Sequence, residues 1–167
     1  MSKATLYIDP GLNGAMAWRD RDGIAQAHPM PEGMTAQVDW LREWRANHIG
    51  DPAMMEKVGT HVKGNAASAS VTFARHCGNL EAALYCIGMP QLREPTPRQW
   101  QKALGVPVED PIPKHIIGKA RDKELAARKK RRKAWVQEHV QRLFPHLRVT
   151  LKTADALGMM AAMEGER

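Results

Sequence analysis

The sequence predicts an α/β layer fold built on a mixed sheet. Three short strand-like segments follow one another at the start, joined by turn-rich stretches that suit hairpins. From Met34 onward, helical and strand-like segments alternate. The first strand is almost continuously apolar, which suits a central strand buried on both faces.

The first strand spans Ala4 to Asp9 and runs into Asp9-Pro10-Gly11, a turn signature that leaves the Asp9 carboxylate at the strand's end. Ala15–Arg19 and Ile24–Ala27 are strand-like, and Asp22-Gly23 between them is a hairpin signal. Met34–His48 carries Val38, Trp40, Leu41 and Trp44 at helical spacing. A short apolar run from Pro52 to Val58 reads as the fourth strand and carries Glu56 near its end. Gly59–Gly64 is loop-like, and Ala66–Gly88 is a helix rich in small residues. Gln91–Pro95 supplies a fifth short strand. Pro97 opens a helix through Trp100 and Leu104 to Gly105, with proline at a favoured early position. The three prolines between Val106 and Pro113 make that stretch a loop. Lys119–Phe144 is a long helix, charged in its first half and striped with Trp135, Val136, Val140 and Leu143 in its second, and Pro145 stops it. Thr153 is placed to cap a final helix of small apolar residues through Met163.

The 167 residues suffice for one domain over 1–167 that buries roughly 70% of its unfolded surface. No apolar run approaches the roughly 20 residues of a membrane helix, and no secretory leader opens the chain, so a cytoplasmic location is expected. Cys77 and Cys86 lie about 13 Å apart along one helix, beyond disulfide reach, and no CxxC pair provides a zinc ribbon. The net charge is +7 and the pI about 9.7. Lys114–Lys133 alone holds ten Lys or Arg against two acids, which leaves the rest of the chain near −1. A near-neutral body with one basic segment fits a polyanionic partner, most simply nucleic acid; the alternative is a solvated helix face.

Three acids stand out by position: Asp9 and Glu56 at strand ends, and Asp155 in the first turn of an otherwise apolar helix. Alone, Asp155 could serve the helix dipole and Glu56 could face water from an edge strand. Brought together they would repel one another, and divalent cations would relieve that repulsion. Mg²⁺ prefers oxygen ligands, and a pair of such ions serves phosphodiester hydrolysis. The seven histidines show no paired ligand spacing, and neither GxxxxGK[ST] nor GxGxxG occurs.

The ordered set of these segments resembles the RuvC family of Holliday junction resolvases. Ile8-Asp9-Pro10-Gly11 with Gly14 and a second strand is similar to that family's opening. Glu56-Lys-Val, then Asn65-Ala-Ala-Ser-Ala and a long helix, resembles its second acid, loop and helix. Pro97-Arg-Gln-Trp-Gln-Lys102 resembles its basic segment, and Val136-Gln-Glu-His-Val-Gln-Arg-Leu followed by Ala154-Asp155-Ala156-Leu157 its closing pattern.

The resemblance implies an RNase H-like fold, a mixed five-stranded sheet with helices on both faces. It further implies a homodimer that binds four-way DNA junctions and resolves them by paired nicks in DNA recombination and repair. Asp9, Glu56 and Asp155 would be catalytic residues and ligands of Mg²⁺ or Mn²⁺, two ions per site, with Asp9 bridging them. Lys102, the run Arg128, Lys129, Lys130, Arg131, Arg132 and Lys133, and His61 and Lys63 in the loop after Glu56 would contact DNA. Two departures stand out. Lys152 occupies the position of a further family carboxylate, where it could meet a phosphate, and Glu164 lies too far along the helix to substitute. His61 stands where the family often carries a base-stacking aromatic. Two other readings are open: a broader branched-DNA or RNA nuclease, and a junction-binding protein with impaired catalysis. The helix at 66–88 is expected either to form a dimer face or to pack on its own sheet.

Overall fold

A computed structural model describes residues 4–59, 67–91 and 94–165. The elements in chain order are β1 (Leu6–Asp9), β2 (Ala15–Arg19), β3 (Ala25–Pro29), α1 (Met34–Asn47), β4 (Ala53–Met55), α2 (Ala67–Cys86), α3 (Pro97–Leu104), α4 (Gly118–Leu143) and α5 (Ala154–Glu164). The sheet order is β3-β2-β1-β4. β1 pairs antiparallel with β2 and parallel with β4, so the sheet is mixed, with the apolar β1 in its middle.

The expected fifth strand is a correction. Among the described residues the sheet has four strands, and the segment after α2 contributes only an isolated parallel bridge between Gln91 and Ala53. The Ala53 N–H donates to the Pro90 carbonyl and the Lys57 N–H to the Pro95 carbonyl, both at 2.8–2.9 Å. Pro90, Gln91 and Pro95 thus lie beside β4, but the two prolines have no N–H to extend a ladder.

Side chains alternate across the sheet with period two. Leu6, Ile8, Met16, Ala53 and Met55 face one core with Leu41 and Trp44 of α1 and Leu80 and Leu84 of α2. Tyr7, Ala15, Ala17 and Ala25 face the other, with Trp100, Leu104, Val136, Val140 and most of α5. Helices therefore cover both faces, as the resemblance implied. α5 is buried almost all round, against β1 and β2 on one side and α3 and α4 on the other. Its small residues meet small residues of the strands, which permits that close approach. α4 has 26 residues, about 39 Å of helix. Its buried residues are Val136 and Val140; the charged half before them carries none. Among the described residues no helix is long and apolar enough to cross a membrane.

Candidate active site

The period-two alternation that builds the cores also aims the acids. Asp9 follows Ile8 and so points to the α5 face, as Tyr7 does. Glu56 follows Met55 and shares the face of Met54, which packs against the same α5 core. The two strands are parallel and in register from Leu6↔Ala53 to Ile8↔Met55, and the Glu56 N–H donates to the Ile8 carbonyl at 2.9 Å. Asp9 and Glu56 are therefore neighbours at the same strand ends. Asp155 enters from the first turn of α5, which lies on β1. Ordinary strand and helix geometry thus gathers three carboxylates distant in sequence.

The turn after β1 is built around Asp9. The Gly11 N–H donates to Asp9 Oδ1 at 3.1 Å, and the Gly14 N–H to the Gly11 carbonyl at 2.8 Å. A Cβ at position 14 would lie 2.2 Å from the Asp9 carbonyl oxygen and 2.9 Å from its carboxyl carbon, so only glycine fits. Glu56 is 9% exposed and Oε1 accepts a 2.6 Å hydrogen bond from the indole Nε1–H of Trp100. Thr153 is the N-cap of α5, but its hydroxyl is not the expected cap. It accepts instead from the Thr150 N–H at 3.0 Å, in a turn that leads into the helix.

Neighbouring carboxyls perturb Asp9 and Glu56. Burial, and then the Asp155 charge, push Asp9 up to about 6 against the opposing Gly11 N–H and Lys133. Burial pushes Glu56 up to about 7. The Trp100 hydrogen bond opposes this, the Asp9 and Asp155 charges add to it, and Arg132 opposes it. Asp155 is likewise raised by burial, against Lys133 and Arg132. The site is an acidic trio whose ionised form is disfavoured unless positive charge is supplied. Among the described residues, no group of three or more His, Cys, Asp and Glu side chains is arranged so that it could hold a metal ion as it stands.

The basic run divides by helical phase. Lys129, Arg132 and Lys133 precede buried Val136 by seven, four and three positions, so they continue its side of the helix, with Lys129 and Arg132 exposed and Lys133 half-buried. Arg132 and Lys133 are the cations that act on the acids. Arg128 and Arg131 instead grip the proline-rich loop. Arg131 meets Glu109 at 2.7 Å and Glu124 at 3.0 Å, and Arg128 donates to the Asp110 carbonyl at 2.6 Å and pairs with Glu124 at 3.0 Å. Lys129 and Lys130 are exposed, as is Lys102 on the last turn of α3. Lys152 is exposed just before the α5 N-cap. Glu164 is paired with Arg19 at 2.8 Å, away from the acids. His61 and Lys63 lie outside the described residues.

Sequence reasoning missed Trp100 as the partner of Glu56, because no spacing rule links positions 44 apart. It also missed Glu109 and Glu124; the Glu124–Arg128 spacing of four was the available signal.

No family model and no curated protein matches the chain. Solved structures do. A Thermus thermophilus RuvC structure is 15% identical at a TM-score of 0.50, over 97% of this chain and 93% of that one. T. thermophilus RuvC in complex with a Holliday junction substrate is 16% identical at 0.53, over 99% and 98%. The chain has the RuvC-like fold along nearly its whole length.

Proposed function

We propose that this RuvC-like fold is a metal-dependent, structure-selective DNA endonuclease that resolves four-way junctions by paired nicks. One observation carries the reading: Asp9, Glu56 and Asp155 meet on one face at the ends of β1 and β4, beside Arg132 and Lys133 of α4. A trio of burial-raised carboxyls is a poor store of negative charge without a cation, and its donors are the hard oxygens that Mg²⁺ and Mn²⁺ select. Mg²⁺ keeps waters and substrate phosphate oxygens in its shell, so three carboxylates need not enclose it. Asp9, Glu56 and Asp155 would hold such ions, and these when bound supply water activation and charge neutralisation at the leaving oxygen.

The chain's own residues supply placement. The Gly11 N–H and the space at Gly14 hold Asp9 at the strand end. Lys133 and Arg132, already in the field of the acids, would take the phosphates that flank the scissile bond. Lys102, Lys129 and Lys130 would follow the backbone further out, fixing position without reading sequence.

We also place a second copy of the chain on the outer face of α2. That helix packs inward through Leu80, Ala83 and Leu84, while Val71, Arg75, Gly78, Glu81, Ala82 and Tyr85 are exposed. Two exposed pairs, Val71 with Tyr85 and Arg75 with Glu81, are spaced symmetrically about Gly78. An antiparallel pairing centred there sets Val71 opposite the partner's Tyr85 and Arg75 opposite the partner's Glu81, as a two-fold interface requires.

A second reading, junction binding with impaired catalysis, is favoured by Lys152 at the position of a family carboxylate. One experiment separates the two. A labelled four-way junction and a linear duplex are incubated with Mg²⁺, with Mn²⁺ and with chelator, using wild type and Asp9→Asn. Paired symmetric nicks in the junction alone, lost with chelator and in the variant, are expected. Binding without nicks in either metal would establish the second reading, and nicks in every branched substrate a broader nuclease.

A further inference from the structure

We propose that Trp100 is a positioning residue for the acid site, its indole N–H holding one oxygen of Glu56 so that the other is presented to cation and phosphate. The inference rests on the reading of the three acids as a cation site. Indole nitrogen is a donor only, so Trp100 can serve here only by giving its proton to the carboxylate. The bond is 2.6 Å long, shorter than an ordinary N–H···O contact. Among the described residues, none donates to the second oxygen, Oε2.

The indole is held from every side. Trp100 is 1% exposed. It stands on a short helix whose start is fixed by the Thr96–Gln99 capping box and by Pro97 at the first helical position. Its ring lies over Gly158 of α5. A Cβ there would be 3.2 Å from Trp100 Cζ3, 3.2 Å from Leu104 Cδ2 and 3.4 Å from Val136 Cγ1. Gly158 follows Asp155 by three positions and so lies on the same side of α5. One aromatic ring thus spans from the helix of the third acid to the side chain of the second. Phenylalanine could fill most of that space and leave no polar atom to satisfy. The buried indole N–H therefore has a use only through Glu56.

The test uses the ¹⁵N-labelled full-length protein without metal, at about pH 8.5, where Glu56 is ionised. The Trp100 indole resonance is identified among the five tryptophans by its loss in Trp100→Phe. It is expected far downfield of the others, to move upfield in Glu56→Gln, and to broaden first when Mn²⁺ is added. Site-specific replacement of Trp100 by β-(3-benzothienyl)alanine, which keeps the shape but not the N–H, is expected to weaken Mn²⁺ binding about 10- to 100-fold by calorimetry with the fold retained by circular dichroism. An indole resonance indifferent to Glu56→Gln, or an isosteric replacement that binds Mn²⁺ as tightly as wild type, would overturn the proposal. If the resonance answers to Glu56→Gln but wild type binds no Mn²⁺, the cation reading of the acids is what fails, and presentation to a cation falls with it.

Discussion

Glu56→Gln should stabilise the metal-free protein at alkaline pH, because the wild-type carboxylate is held where its charge is least welcome. Burial and the Asp9 and Asp155 charges lift Glu56 from an ordinary 4.5 to about 7. A folded-state value above the unfolded one means that the native protein binds this proton more tightly. The contribution to stability is therefore fully present below pH 4.5 and is lost as pH rises through about 7. At 1.36 kcal/mol per unit, the loss is about 3 kcal/mol. For a chain of this size that corresponds to roughly 6–12 °C in melting temperature. Glutamine keeps an acceptor oxygen for the Trp100 N–H and removes the charge. The expected result is equal melting of variant and wild type near pH 4.5 and a higher Tm for the variant at about pH 8.5. Buried His76 is held low by desolvation and titrates with the opposite sign, so the difference between the two proteins, not the wild-type curve alone, is the measured quantity. Mg²⁺ should raise the wild-type Tm at alkaline pH and leave the variant nearly unmoved. A Tm difference that does not grow between the two pH values would refute the claim that Glu56 is held protonated by its surroundings.

Gly14→Ala should destabilise by about 3 kcal/mol or more in denaturant unfolding, since its Cβ would strike the Asp9 backbone oxygen, which cannot swing aside as a flexible side chain would. In junction-binding titrations against salt, Lys129→Ala, Arg132→Ala and Lys133→Ala should each lower the slope of log K by about 0.9, while Arg131→Ala, whose guanidinium is held by Glu109 and Glu124, should lower it less. Lys152→Asp should leave the cleavage rate unchanged, because the position is exposed and outside α5; an order-of-magnitude gain would mark a lost ligand. If a second copy pairs on α2 as proposed, Gly78→Glu should shift sedimentation from dimer to monomer by placing like charge at the centre of the pairing; wild type that sediments as a monomer would refute the pairing.

The sequence made the sheet's middle and the acids' positions legible for the same reason. A strand that alternates between two buried faces must be apolar at every position except where chemistry intervenes, so Asp9 at the end of Leu6-Tyr7-Ile8 and Glu56 after Met54-Met55 stood out against their own strands. The fifth strand was misread because Gln91–Pro95 has the length and setting of a strand. Hydrogen bonding decides that question: among the described residues the Pro90 and Pro95 carbonyls accept one bond each and Gln91 makes one bridge, and neither proline has an N–H to donate. Trp100 was legible as a core residue of an amphipathic helix and illegible as a partner of Glu56. Its apolar ring satisfies the helical pattern, while its single polar atom acts across a tertiary contact.

The run Arg128 to Lys133 shows most plainly what composition conceals. As a charge count it is six equivalent cations and suggests one continuous phosphate surface. A helix rotates each successive residue by about 100°, so the six cannot face one way. Lys129, Arg132 and Lys133 continue the face of Val136 and Val140, and that face leads to the acids because Val136 packs against α5, where Asp155 begins. Arg128 and Arg131 lie on the flank that carries Glu124, and there they hold the loop of Glu109 and Asp110. The division follows from where the apolar stripe begins. Moving the run by one residue against that stripe would turn Arg131 inward and Lys133 outward, with the composition and net charge of the helix unchanged. The field at the acids is therefore set by the register of charge against hydrophobicity along α4, not by the number of lysines and arginines it carries.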